Sequence, residues 1–305
     1  MNIIRNIIAD YENLIKTNIQ IPLSNGDIIK FTFKPQDLPH LLGLQHLVDN
    51  PVLFEYSEKR LSATTLYNMM NSEGEDSVEP DEFEKSIHFD ELYNGRIQYF
   101  SSEMILDIIK ARQIVKFNSA KIKNFPTKLD KIEYMFWKQY KDKDNNYGYL
   151  GIGFMASGKD SDINYPNTFF FRLDNEYVCY QENVLPYSIM KKDKYGARTF
   201  EIYWEQVWQG LEKNKHYKKL KSTYALEDGK LDIAAIENSL DTDALKQYEL
   251  LQLDALDKIY LPYMKEDFRW TNDEKRFILQ KLNSEDKDLM PNEIRQLLSE
   301  YKQKV

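Results

Sequence analysis

The period of the chain changes between Ile114 and Gln181, and this change sets the class of fold open to it. Ile114–Phe117, Ile132–Tyr140, Tyr147–Met155, Thr168–Leu173 and Tyr177–Gln181 are short, aromatic and β-branched, as strands are. Turn chemistry separates them at Asp144-Asn145-Asn146, Ser157-Gly158, Tyr165-Pro166-Asn167 and Asp174-Asn175. Short strands with brief turns form an antiparallel meander. Helical spacing dominates on either side. Asn2–Lys16 carries Ile4, Ile7, Ile8, Tyr11, Leu14 and Ile15 on one face. Leu61–Met70 and Phe83–Tyr93 follow as helices, and Ser101-Ser102-Glu103 caps Met104–Arg112. Helices before strands give α+β rather than a doubly wound fold. From about Phe200 the chain reads as all-helical: Leu231–Tyr260 is a long periodic stretch, Thr271 caps Asp273–Leu282, and Pro291 opens a last helix. The expected organisation is an α+β domain over residues 1–199 and a helical annex over 200–305.

One strand-to-helix junction places a histidine. Ile28-Ile29-Lys30-Phe31-Thr32-Phe33 reads as a strand, with Asn25-Gly26 as the tight turn from a partner at Ile19–Leu23. Pro35 ends it. Asp37 stands where a helix N-cap belongs, with Pro39 in the first turn. His40 falls in that turn, where free N–H groups favour a nearby anion and a neutral imidazole. It either serves as a base on a phosphodiester or packs against the turn. Gly43 either ends the helix or admits a second element.

The net charge of −8 argues against nucleic acid, but its distribution does not. Ser72–Leu92 holds nine acids and one lysine, which equals the whole net charge. Lys110–Lys143 holds ten basic residues and three acids, interleaved with Phe117, Phe125, Tyr134, Phe136, Trp137 and Tyr140. Charge for phosphates and rings for bases suit RNA or single-stranded DNA; a solvated lysine face over a buried aromatic core is the plainer alternative. The single cysteine, Cys179, excludes an intramolecular disulfide. It sits in a stretch that reads as a buried strand, where a packing role is expected. No leader and no membrane span are expected, so the expected location is cytoplasmic.

No phosphate loop is signalled. Among the histidines His40, His46, His88 and His216 no metal-ligand spacing occurs, and no cofactor is expected. What remains is metal-free phosphodiester cleavage, which needs a base for the ribose 2′-OH, cations for the phosphorane and a donor for the leaving oxygen. On a strand, Thr168 and Arg172 project from one face with Phe170 between them. That face either holds a base and a phosphate or is merely wet. Lys116 and Arg96 are further cation candidates for binding substrate.

Phe31-x-Phe33-x5-Pro39-His40-Leu41-Leu42-Gly43-Leu44, taken with Tyr165-Pro166-Asn167-Thr168-Phe169-Phe170 and Tyr177-x3-Gln181, resembles the fourth subgroup of the phage-associated nuclease-like family grouped with barnase, EndoU, colicin tRNases and RelE. The likeness runs from about residue 19 to about residue 189. It implies a RelE/barnase-like antiparallel sheet and a metal-independent ribonuclease or toxin-like effector of a phage or mobile element. His40 matches the family's histidine and Thr168 the threonine of its late strand; Arg172 follows that strand. The catalytic set is then His40, Thr168 and Arg172, with Lys116 and Arg96 on substrate, and the partner is RNA, tRNA or ribosomal RNA included. The acidic segment and the acidic annex are additions to the family pattern that could hold off non-target RNA or take a protein partner. The alternative is a non-catalytic phage or defence-system protein that binds a host or phage protein. A degenerate nuclease that still binds RNA stands between the two.

Overall fold

The computed structural model describes residues 3–72, 77–122, 129–141, 145–155, 163–285 and 288–304. Phe125, the Ser157-Gly158 turn, Asp144 and the centre of the acidic segment lie outside the described residues. The elements run in order as follows. Helix α1 (Ile3–Tyr11) precedes the hairpin β1 (Asn18–Pro22) and β2 (Ile28–Thr32). Then come α2 (Leu38–Leu42), α3 (Pro51–Ser57), α4 (Ala63–Met70), α5 (Phe89–Gly95) and α6 (Ser102–Lys110). The strands β3 (Ile114–Lys116), β4 (Ile132–Lys141), β5 (Tyr147–Met155), β6 (Tyr165–Arg172) and β7 (Glu182–Val184) follow, with β8 (Ser188–Lys192) and β9 (Arg198–Ile202) after them. Among the described residues the α-helices α7 (Trp204–Gly210), α8 (Lys215–Lys221), α9 (Ile233–Glu237), α10 (Thr242–Tyr260), α11 (Asn272–Glu285) and α12 (Pro291–Lys304) come last. The fold is α+β with two antiparallel sheets, in the orders β6-β5-β4-β3-β7 and β2-β1-β8-β9. No described helix is long and apolar enough to cross a membrane.

Contacts divide the chain into two units that do not follow its order. One comprises Met1–Ile19, Ile29–Val184 and Lys192–Ala197; the other comprises Gln20–Ile28, Leu185–Lys191 and Arg198–Val305.

In the first unit the five-stranded sheet has two buried faces. Period-2 alternation sends Phe136, Phe154 and Phe169 to one of them, where they are fully buried against Phe31 and Phe100. The Phe31 and Phe154 ring centroids lie 4.3 Å apart and those of Phe100 and Phe169 5.1 Å apart. Helix α6 packs on β4 and β5, held at its start by Ser101 Oγ accepting the Met104 N–H at 3.0 Å. The opposite face gathers Val115, Phe117, Ile132, Met135, Phe170 and Val178. Buried Asn164 ties β2 to the sheet: its N–H donates to Lys30 O at 2.6 Å, its Oδ1 accepts the Lys30 N–H, and its Nδ2 donates to Met155 O.

Several local expectations are corrected. The strands do not form a simple meander, because β7 returns across the sheet to pair with β3. Tyr177–Gln181 is a turn: Asn175 O accepts the N–H groups of both Val178 and Cys179, and Tyr180 sits at φ 62°. Asp174-Asn175 turn chemistry outweighs the β-propensity of Tyr177-Val178, so Cys179 is half-buried on that turn. Tyr165-Pro166-Asn167 is strand rather than turn; β6 is an edge, where proline costs no ladder bond. Strand β9 reaches Ile202, so the helical region starts at Trp204. The helix after Pro35 is only five residues long. Gly43 stops it at φ 77°, and the Asp37 side chain turns back to accept the Lys34 N–H at 2.8 Å instead of capping α2.

In the second unit α10 is the hub. Leu251, Leu256, Ile259 and Tyr260 of α10 pack with Tyr217, Leu220, Ile278, Ile294 and Leu298. Thr271 and Glu274 form a reciprocal capping box at the start of α11. Asp257 accepts from Trp270 Nε1 and Lys275 Nζ.

Two predictions follow from this packing. A Cβ at Gly151 would stand 2.3 Å from the Phe170 ring. Gly151→Ala is expected to destabilise the fold by about 1–3 kcal/mol, read from the urea midpoint. Burial lifts the carboxyl of Asp37 to about 7, against an opposing Lys34 hydrogen bond and charge. The unfolded carboxyl titrates near 4, so the folded state resists ionisation: the Asp37 contribution is complete below about pH 4 and is lost as pH rises to about 7. Wild type should lose up to about 4 kcal/mol over that window from this residue, and Asp37→Asn should remove this part of the slope. Urea midpoints at pH 4, 5.5 and 7 check it.

Candidate active site

The site begins with Gly43. Its positive φ ends α2 and throws the chain into a 3-10 turn, Leu44–His46, whose last residue is a solvent-exposed histidine. With no Cβ, Gly43 also leaves room for another segment. A Cβ there would stand 2.9 Å from Leu92 Cδ1 and 3.2 Å from the Arg96 guanidinium carbon. Arg96 follows α5 at φ −150°, ψ −66°, between that helix and the 3-10 turn Ile97–Tyr99. Helices α2 and α5 both pack on β6. The Arg96 guanidinium thereby reaches the sheet, where Nη1 donates to Thr168 Oγ1 at 3.3 Å.

Thr168, Phe170 and Arg172 share one face of β6, as alternation requires. They line a cavity of about 440 Å³ together with Arg96, His46, His88, Glu91, Leu92, Gly95, Leu129, Phe171 and Tyr177. Gly153 and Gly151 of β5 make this face possible: a Cβ at Gly153 would lie 2.8 Å from Thr168 Cγ2. The Gly151-Ile152-Gly153 spacing is thus a clearance for the site's floor. Tyr177, on the turn after β6, folds back over the floor, 5.0 Å from Phe170 between ring centroids and 4.5 Å from the Arg172 guanidinium carbon.

The two arginines differ electrically. Burial pulls the Arg96 pKa down from the ordinary arginine value, with Tyr177 opposing; a guanidinium so placed stays charged and is poorly solvated. Burial also acts to lower Arg172, but the Asp174 carboxylate and Tyr177 outweigh it and raise the pKa. Asp174 takes Arg172 Nη2 at 2.7 Å and both its oxygens take Nε at 3.1 Å. Arg172 is therefore a held cation, whereas the described contacts of Arg96 include no carboxylate.

The second histidine comes from the acidic segment. His88 precedes α5, and its N–H donates to Ser86 Oγ. Asp49, just beyond the His46 turn, accepts from Ser86 Oγ and from the Ile87 N–H at 2.9 Å. The hydrogen bond from Ser86 is the largest cause holding the Asp49 carboxyl below the ordinary range. One carboxylate thus ties the two histidine-bearing loops together.

The cavity brings together three of the five residues singled out from sequence: Arg96, Thr168 and Arg172. His40 and Lys116 are not among its lining residues. His40 is on the exposed side of α2, its ring centroid 5.5 Å from that of Tyr56, and partial desolvation lowers its pKa. Lys116 lies over the Tyr134 ring on β3. The residues added are His46, His88 and Tyr177. His46 was readable as the position three beyond a chain-reversing glycine; His88 lay inside a segment whose acidity drew attention from its histidine. Among the described residues no group of three or more His, Cys, Asp or Glu is placed to hold a metal ion.

Gly43→Ala should cost about 1–3 kcal/mol from the left-handed backbone alone and push Arg96 off Thr168. The denaturant midpoint reads the first effect. Loss of the Arg96 Nε resonance dispersion at pH 6, measured under native conditions, reads the second.

No curated protein and no solved structure matches the chain. Residues 3–221, 219 of the 305, match the family described as phage-Barnase-EndoU-ColicinE5/D-RelE like nuclease4. The match is wider than the likeness read from motifs, since it takes in α1 at one end and α7 and α8 at the other, and it contains every residue of the cavity. The chain belongs to this phage-associated barnase, EndoU, colicin and RelE-like nuclease family.

Proposed function

We propose that the chain is a metal-independent endoribonuclease whose active site is the β6 cavity. The family makes nucleic acid the substrate class; RNA is the finer reading. The observation that carries it is the Arg96 guanidinium donating to Thr168 at the cavity floor, with Arg172 beside it and two histidines on the lining. Arg96 and Arg172 hold the scissile phosphate and meet the charge that grows on its oxygens. Thr168 keeps Arg96 aimed. Of His46 and His88, one removes the 2′-OH proton and the other protonates the leaving 5′-oxygen, so the products carry 2′,3′-cyclic phosphate and 5′-OH ends. Tyr177 and Phe170 offer ring faces to a base. Lys116 is a supplementary cation for flanking phosphates, and His40 has no part in the chemistry. A cytoplasmic effector role for a phage or mobile element, acting on tRNA or ribosomal RNA, accords with the family's phage association.

The test is incubation of total tRNA and ribosomal RNA with the full chain in EDTA. Wild type should give discrete fragments. His46→Ala and His88→Ala should each lose about 10²–10⁴ in rate, while His40→Ala stays within about threefold of wild type. Loss of cleavage in His40→Ala with both cavity variants active would return the base to α2. Intact RNA with wild type would favour the non-catalytic protein-binding alternative.

A further inference from the structure

The second unit contains a cavity unrelated to the β6 site. It has a volume of about 470 Å³, within the range of small-ligand pockets, and it lies between α7, α10 and α11. Trp204 and Trp208, one turn apart on α7, contribute stacked indoles with centroids 5.4 Å apart and planes 26° from parallel. Tyr248 of α10 continues the aromatic wall, 6.2 Å from Trp208. Glu237 and Asp288 supply two carboxylates, and Gln252 and Asn283 two amides. Among the described residues no lysine or arginine lines it.

From this combination we infer that the cavity between α7, α10 and α11 binds an organic cation, an alkyl-guanidinium or a methylated ammonium, with its charge against Glu237 and its carbon-bound hydrogens against the Trp204, Trp208 and Tyr248 rings. The faces of indoles and phenols are negative, and they attract cations that shed water cheaply. Guanidinium and quaternary ammonium groups do so; a metal ion would ask for more oxygen donors than this wall provides. A neutral apolar ligand would set apolar surface against both carboxylates and displace water from them with no charge in exchange. The wall is organised before any ligand arrives. Tyr248 Oη donates to Glu237 Oε1 at 3.0 Å, which leaves Oε2 for a second donor. Asp288 Oδ2 accepts the Ile202 N–H at 2.6 Å, so its position is fixed by backbone.

The experiment is calorimetric titration of the full chain with choline, with agmatine, and with 3,3-dimethylbutanol, the uncharged counterpart of choline. Saturable binding of at least one cation is expected, with none of the alcohol. Glu237→Gln keeps the hydrogen bond from Tyr248 and removes only the charge; it should weaken binding about tenfold, the equivalent of one charge-assisted contact. Trp204→Phe, which keeps a ring with a weaker negative face, should weaken it less. A tripeptide with blocked ends and a central arginine identifies the source: binding as tight as that of agmatine indicates a protein side chain, and exclusion indicates a free cation. The inference is overturned if neither cation binds below 10 mM (about a millimolar-scale limit for a specific pocket), if the alcohol binds equally well, or if Glu237→Gln leaves cation binding unchanged. Unaltered urea midpoints in the variants separate lost binding from lost folding.

Discussion

The contact of Arg96 with Gly43 and Thr168 is the one on which the rest of the candidate site depends. A guanidinium is costly to move out of water, and it is worth burying only where rigid elements dictate its direction. Here α2 ends at Gly43, α5 ends at Arg96, and both helices rest on β6. The missing Cβ of Gly43 and those of Gly151 and Gly153 clear space from both sides for one arginine and one strand face. The same chain reversal that admits Arg96 carries His46 to the lining, and Asp49 couples that turn to the loop of His88. Four segments distant in sequence are thus assembled by two packing contacts and one carboxylate.

Under the proposed function, this arrangement lets an acidic chain act on a polyanion. The net charge of −8 is a sum over the whole chain, and catalysis is governed by what faces the substrate. The basic stretch from Lys110 to Lys143 contributes only Leu129 to the cavity among its described residues. Several of its lysines are occupied elsewhere, Lys138 with Asp107 at 3.6 Å and Lys141 over Tyr147. The acidic stretch supplies His88, Glu91 and Leu92 to the cavity instead. A site with few, well-held cations and acidic surroundings gains selectivity at the expense of general affinity for phosphate, because salt-dependent attraction scales with the number of phosphates neutralised.

How far the sequence revealed the fold depended on the range of the signal. Alternation and capping act over three to seven residues, and they located α6, β4, β5, the start of α11 and the Thr168–Phe170–Arg172 face. The return of β7 to β3 depends on partners more than sixty residues away, which local propensity does not encode, whereas the turn at Tyr177–Gln181 is local and follows from Asp174-Asn175. Arg96 was visible only as a cation; its partner Thr168 is 72 positions distant. His40 drew attention because a helix start is an anion-friendly place, but α2 is five residues long and too short for its dipole to organise a site.

The proposed chemistry turns on phosphate held on the β6 face by Arg96. The most direct measurement is titration of the ¹⁵N-labelled chain with an RNA trinucleotide carrying a 2′-deoxyribose at the scissile position, which binds but cannot be cleaved, while arginine Nε and histidine ring resonances are followed by NMR. Saturable shifts are expected at Arg96, Arg172, His46 and His88 with one common dissociation constant, and none at His40. Shifts confined to His40 or Lys116, with Arg96 unmoved at saturation, would contradict it.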